Sequence, residues 1–224
     1  MKEIVSAIIQ AIATIMDAII GVAFAGKFSK KPTEAHFFNY TDKNHNLHKI
    51  MRKAKKSITI IANCGDMFLT TYYDNLIQYI KNGVQINFLL LDIENYTYMD
   101  IYTTGTKNAD YDALEKSLQI LSELKRQNSE KVSIKVFNSV LTASYIGIDL
   151  EQNIFDNNWP ETALIQVMSY QYNTRPGKSP ITYISPHEKE QFQIVVDSIF
   201  EMWDRSDMVD LDEYLEQVVK RKNI

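Results

Sequence analysis

The chain has a single cysteine, Cys64. That excludes an intramolecular disulfide framework and fits a reducing compartment. An excess of positive charge is also missing: 24 Lys and Arg against 28 Asp and Glu leave a formal charge of −4. A dedicated nucleic-acid binder normally tips the other way, so nucleic acid is not an expected partner. No Walker loop, GxGxxG, CxxC or GxSxG motif occurs. Nothing therefore points to P-loop, dinucleotide, dithiol or nucleophile-elbow chemistry, and no cofactor is expected. The His45/His48 pair, at i, i+3, lacks the carboxylates or cysteines that would complete a metal site. There is no internal repeat and no low-complexity tract. A chain of 224 residues, 45% hydrophobic, can bury one substantial core plus an appendage.

What is present begins with an apolar N-terminal run carrying one narrow polar seam. On a helical wheel Glu3, Ser6, Gln10, Thr14, Asp17 and Gly21 fall within about 80° of arc. Beside them lies a stripe of small residues, Ala7, Ala11, Ala18 and Ala25. The opposite face is Ile4, Ile8, Ile12, Ile15, Ile19 and Val22. From Ile4 to Ala25 the run is 22 residues long, and about 20 suffice to cross hydrocarbon. Gln10 and Asp17 are costly in lipid and ordinarily face a partner or a cavity. The pattern is that of an assembling membrane segment, with self-association through the helix. Three other readings fit parts of it. One is a buried helix of a soluble bundle. Another is a signal peptide ending at Ala23-Phe24-Ala25, which Asp17 interrupts. The last is a plain anchor, which needs no seam. Lys27, Lys30 and Lys31 follow directly, so the remaining chain is expected on the cytoplasmic side.

Residues 1–27 thus form the apolar helix and 28–41, with Pro32, a linker. Residues 42–206 read as one α/β domain, and 207–224 as an acidic C-terminal helix or tail. Lys43, Lys49, Arg52, Lys53, Lys55 and Lys56 crowd together before the first strand. They either reach lipid headgroups or phosphates, or form the solvated face of a helix. Asp42 is positioned to cap a helix carrying Leu47, Ile50, Met51 and Ala54, and Asp66 to cap another ended by Asn82-Gly83. Asp110 or Asp112 opens a third, with Leu114, Leu118, Leu121 and Leu124 inward. Ser185-Pro186-His187-Glu188 reads as a capping box for a fourth. Strands are expected at Ser57 to Ala62, Val84 to Leu91, Val132 to Phe137, Ala143 to Ile148, Ala163 to Tyr170 and Ile181 to Ile184. Between strands, the stretch from Asp92 to Ala109 is a long, tyrosine-rich loop. Strands alternating with helices argue for an α/β layer structure.

Lys53-Ala54-Lys55-Lys56-Ser57-Ile58-Thr59-Ile60-Ile61 puts a basic helix ahead of the first strand. Tyr79-Ile80-Lys81-Asn82-Gly83-Val84-Gln85-Ile86-Asn87-Phe88-Leu89-Leu90 is a helix, a glycine and a hydrophobic strand. Phe200-Glu201-Met202-Trp203-Asp204 looks like a closing aromatic helix. With these features the chain resembles a phospholipase D-like domain, from about Asp42 to Ser206. The resemblance implies a single mixed sheet flanked by helices, here preceded by the N-terminal apolar helix. It also implies an HxKxxxxD motif, whose histidine attacks phosphorus and whose lysine steadies the phosphoryl oxygens. The matching stretch runs from Val140 to Asp149. Asp149 holds the aspartate position, but Thr142 replaces the histidine and Ser144 the lysine. No HxK pair occurs anywhere in the chain, so phosphodiesterase activity of that type is not expected.

Binding can replace catalysis. Strand ends of α/β sheets line ligand crevices, and the expected site residues are Asn63, Cys64, Asp66, Thr142, Ser144, Asp149, Tyr170 and Tyr172, with Arg175 and Lys178. Those last two are cations suited to a phosphate or nucleotide, or else belong to an ordinary surface turn. Cys64 is either a reactive thiol or a small buried residue. The leading expectation is a non-enzymatic sensor or effector at the bacterial inner membrane. Its cytoplasmic domain binds a ligand or partner, and its N-terminal helices assemble in the membrane, forming a pore by analogy with toxic effectors of bacterial defence. Two alternatives remain: a soluble, cytoplasmic oligomeric ligand-binding or scaffold protein, and a divergent phosphodiesterase or nuclease using Asp149 and Ser144.

Overall fold

Three hydrophobic strands running the same way form the centre of the domain, because each is joined to the next by a helix that crosses over the sheet. They are β1 (Ser57–Ala62), β2 (Gln85–Leu91) and β3 (Val132–Phe137). The crossovers are α1 (Asp66–Lys81) and α2 (Lys107–Gln127). The computed structural model describes residues 47–94, 107–139, 141–150, 159–169 and 179–222. The N-terminal seam from Glu3 to Gly21 and the linker lie outside them, as do Tyr170, Tyr172, Arg175 and Lys178.

Three antiparallel strands extend the sheet beyond β1: β4 (Ala143–Ile148), β5 (Leu164–Ser169) and β6 (Ile181–Ile184). On the other side β7 (Asp207–Met208) pairs with β3. The result is a seven-stranded mixed sheet in the order β6-β5-β4-β1-β2-β3-β7, flanked by helices. α3 (Lys189–Asp204) and α4 (Leu211–Lys222) complete the described elements. The stretch expected as an acidic C-terminal helix or tail holds the helix, α4, and before it the edge strand β7. Two residues are too short to show a period-2 pattern, and their pairing with Lys135 and Val136 is a tertiary event. Residues 207–222 are thus part of the domain.

Paired residues on neighbouring strands share a face. One face of the parallel core is uniformly apolar: Ile58, Ile60, Ile86, Phe88, Leu90, Val132, Ile134 and Val136 are all buried. α1 and α2 cover it, with the Phe68 ring 6.1 Å from that of Phe88. The opposite face carries a polar chain. Asn87 Nδ2 donates to Thr59 Oγ1 at 3.3 Å, and Gln85 Nε2 reaches both Asn87 Oδ1 at 3.4 Å and Ser133 Oγ at 3.2 Å. On the same face Lys135 Nζ donates to the Trp203 carbonyl at 2.8 Å and sits 4.9 Å from its ring, fastening the C-terminal end of α3.

Several helix starts differ from the expected ones. Gly65, at φ +75°, caps α1 with no side-chain bond, and Asp66 is the first helical residue. A carboxylate there favours the positive helix end without capping it. α2 starts at Lys107, ahead of both aspartates expected to open it. Before α3 the Glu188 carboxylate does accept the Ser185 N–H at 2.8 Å, as a capping box requires. It also accepts the Ser185 hydroxyl, however, and the helix begins only at Lys189. The C-terminal end of α1 is as expected, since Gly83 adopts the left-handed φ of +85° that follows Asn82.

The C-terminal helix is tied to the exit of β2. Tyr214 Oη accepts the Ile93 N–H at 2.7 Å and donates to Asp92 Oδ1 at 3.3 Å. Burial, with the Asp92 carboxylate adding to it, pushes this phenol far above its ordinary range. Lys222 pairs with Asp112 and Glu115 on α2.

Asp149 closes the other end. It is fully buried at φ +49°. Its carboxylate accepts the backbone N–H groups of Lys55, Lys56 and Ser57 at 2.8–3.1 Å and the Thr162 hydroxyl at 2.5 Å. Burial alone raises its pKa, but these donors outweigh burial and hold the carboxyl below the usual range. A depressed folded-state pKa stabilises above the unfolded carboxylate value of about 3.9, and that stability is lost as pH falls through the folded value. Asp149→Asn keeps a side chain that tolerates positive φ while removing the charge. It should lower unfolding free energy by about 2–4 kcal/mol at neutral pH. Urea titrations should show that deficit shrinking as pH drops below the carboxylate range; a deficit that is independent of pH would refute this role.

Candidate functional site

The strand polarities bring one group of expected residues together. β1 and β2 end where β4 begins, because β4 runs antiparallel to β1 with Ile61 opposite Tyr145. β5 ends at the same place, with Ser169 opposite Ala143, and β6 starts there. Asn63, Cys64 and Asp66 therefore lie next to Thr142 and Ser144. Asn63 is buried and its carbonyl accepts the Leu91 N–H at 3.2 Å, carrying the β1–β2 pairing past the last strand residue. Cys64 is half-buried, and its thiol donates to Asp66 Oδ1 at 3.4 Å. Thr142 is exposed and Ser144 half-buried.

The backbone turn that makes this possible is Gly65. Its left-handed φ swings the chain from β1 directly into α1, so that Cys64 and Asp66 face each other across it. A Cβ there would also touch Phe88 Cε1 at 3.4 Å. Ser169 and Ser179, which bound the stretch containing Tyr170, Arg175 and Lys178, are placed by β5 and β6 at this same end of the sheet. The placement of those three residues lies outside the described residues.

Asp149 does not join the cluster. It follows Ile148, which pairs with Ile58 at the start of β1, so the length of β4 separates it from Thr142 and Ser144. Its carboxylate is spent on backbone donors and Thr162. Expected among the ligand-binding residues, Asp149 instead has a structural task. A loss of turnover in Asp149→Ala would accordingly report on folding. Of the described histidines, His48 precedes β1 and His187 follows β6, both at strand ends remote from the cluster. Among the described residues no three His, Cys, Asp or Glu side chains form a metal-binding group.

Sequence reasoning missed two features. Ser169 ends β5 opposite Ala143, at the same end of the sheet as Ser144 but on the other face, which no sequence pattern announces. Tyr145, one step along β4, is a phenol raised in pKa by burial.

The fold and site define an α/β domain with a hydrogen-bonding cluster at the carboxyl end of its parallel strands, where sheets of this class take ligands. No family model and no curated protein sequence matches the chain. Among solved structures it is similar to TrmBL2, an archaeal chromatin protein with a novel mode of DNA binding, at 9% identity and TM-score 0.46 over 93% of this chain and 66% of that one. It is likewise similar to phosphatidylserine synthase of Haemophilus influenzae, at 11% identity and TM-score 0.46 over 80% of this chain and 41% of that one. The chain spans less than two thirds of either structure. Similarity at this level assigns neither family nor activity.

Gly65→Ala tests how the cluster is positioned. A non-glycine residue at that φ costs about 1–2 kcal/mol, so the melting temperature should fall. A substitution with no effect on thermal stability would mean the turn relaxes freely.

Proposed function

We propose that the domain beginning near residue 42 is phospholipase D-like and recognises a phosphate-bearing ligand, such as a nucleotide, without hydrolysing it. In the full chain this domain controls an N-terminal segment that assembles in the membrane. The observation that carries the first half is the strand-end cluster itself. Thr142 and Ser144 stand at the positions of the family's histidine and lysine, and neither hydroxyl supplies a titrating nucleophile or a fixed cation. What they supply, with Asn63, is hydrogen-bond donors and acceptors suited to binding. Arg175 and Lys178 are the residues to which the phosphate contact is assigned.

The second half rests on sequence. The seam of Glu3, Ser6, Gln10, Thr14, Asp17 and Gly21 gives the N-terminal run a reason to meet its own copies or water inside lipid. Among the described residues no helix is long and apolar enough to cross a membrane. Ligand binding drives assembly only if affinity differs between the free and the assembled states.

The test compares the full chain with one beginning at Ser29, fractionated from the same cells with viability followed. The full chain should sediment with membranes and impair growth, and the shortened one should do neither. Equal solubility and equal harmlessness would sink the membrane half. If leakage is seen, Asp17→Lys should alter its ion selectivity or size, and Ile12→Val should leave both unchanged; identical leakage in Asp17→Lys would take the seam out of any pore.

A further inference from the structure

The end of the sheet opposite the cluster carries a concentration of charge that the net value of −4 conceals. Arg52, Lys53, Lys55 and Lys56 occupy the turn that leads into β1, and all four are exposed. Lys81 is exposed in the last turn of α1, and Lys125 and Arg126 lie in the last turn of α2. Both helices end where the parallel strands begin, so these elements converge. The backbone contacts make the convergence explicit: the Gln85 N–H donates to the Lys56 carbonyl and the Ile86 N–H to the Lys131 carbonyl, each at 2.8 Å. Against these cations the described connections at this end offer Glu130 and Glu161 and, where β6 leads into α3, Glu188 and Glu190.

Lys53, Lys55, Lys81 and Arg126 form no ion pair with a described residue, whereas Arg205, Lys220, Arg221 and Lys222 each meet a carboxylate. The Asp149 carboxylate sits at this end but is fully buried, and it grips the backbone of Lys55 and Lys56 while their side chains stay exposed. The fold thus holds the lysines outward on a rigid turn.

We propose that this basic end is a docking surface for anionic lipid headgroups. A polyanion is what its chemistry recognises, and clustered Lys and Arg beside a membrane segment attract anionic lipid at about 1 kcal/mol per residue. The choice of lipid over nucleic acid rests on the membrane reading above. It is supported by connectivity: the chain enters β1 at this end, and the sequence leading in carries Lys27, Lys30, Lys31, Lys43 and Lys49.

The experiment uses the full chain and sedimentation with vesicles of phosphatidylcholine, alone or mixed with phosphatidylglycerol, at low and high salt. A combined Lys53→Gln, Lys55→Gln, Lys81→Gln and Arg126→Gln variant is compared with Arg205→Gln, which lies outside the basic end. The expected result is preferential, salt-sensitive binding to the anionic vesicles, weakened about a hundredfold or more by the combined variant and unaffected by Arg205→Gln. Matching thermal melts establish that the variant is folded; if it is not, the four single substitutions should each give a several-fold loss. Unchanged binding by folded variants overturns the proposal. Equal binding to both vesicle types at all salt concentrations overturns it too, yet leaves insertion by the N-terminal segment standing. No binding to either vesicle removes the membrane reading as well. Salt-sensitive retention on duplex DNA without vesicle preference replaces the lipid with nucleic acid.

Discussion

A buried carboxylate can be held ionised only if donors replace the water it has lost, and at Asp149 three consecutive backbone N–H groups and a hydroxyl do so. Much else depends on this arrangement. It joins the turn before β1 to the end of β4, setting the antiparallel partner of the central strand in register with it. Thr162 brings the approach to β5 to the same point, so the antiparallel half of the sheet is assembled around one side chain. The carboxylate also fixes the turn that presents Lys55 and Lys56. Its chemistry is structural.

The two ends of the sheet consequently differ in character. At the carboxyl end of the parallel strands, Asn63, Cys64, Asp66, Thr142 and Ser144 form a hydrogen-bonding mouth with one carboxylate. At the other end, cations from three successive connections crowd together. Between them one sheet face is apolar and covered by α1 and α2, and the other carries the Thr59–Asn87–Gln85–Ser133 chain. The cluster at one end and the charged surface at the other are separated by the length of the strands.

The C-terminal helix adds a third connection. Tyr214 holds Asp92 and Ile93 just where β2 leaves the sheet, and Lys222 and Arg221 fix the helix to α2 and to Glu94. The acidic residues of this helix are mostly solvent-facing, but its Leu211, Tyr214 and Val218 are core residues. Acidic composition alone hid that apolar stripe.

Hydrophobic periodicity determined the strands and the cores of the helices, because a run such as Ser-Ile-Thr-Ile-Ile-Ala or the leucine series of α2 has one way to bury its apolar atoms. The same local chemistry located the α1 C-terminus, where Asn82-Gly83 permits a left-handed turn. It could not decide helix starts, since Asp66, Asp110 and Asp112 are as favourable inside a first turn as before it. Nor could it find β7, whose two residues are defined by the partner they meet. The candidate site was legible as far as it lay on contiguous residues: Asn63, Cys64 and Asp66 on one segment, Thr142 and Ser144 on another. Only tertiary structure could bring Ser169 to that end of the sheet and send Asp149 to the opposite one, because spacing along a strand says which residues are near in sequence and not which strand end they reach. The clustering of Lys81 and Arg126 with the lysines before β1 was decided the same way, by parallel strands that return each helix C-terminus to one end of the sheet.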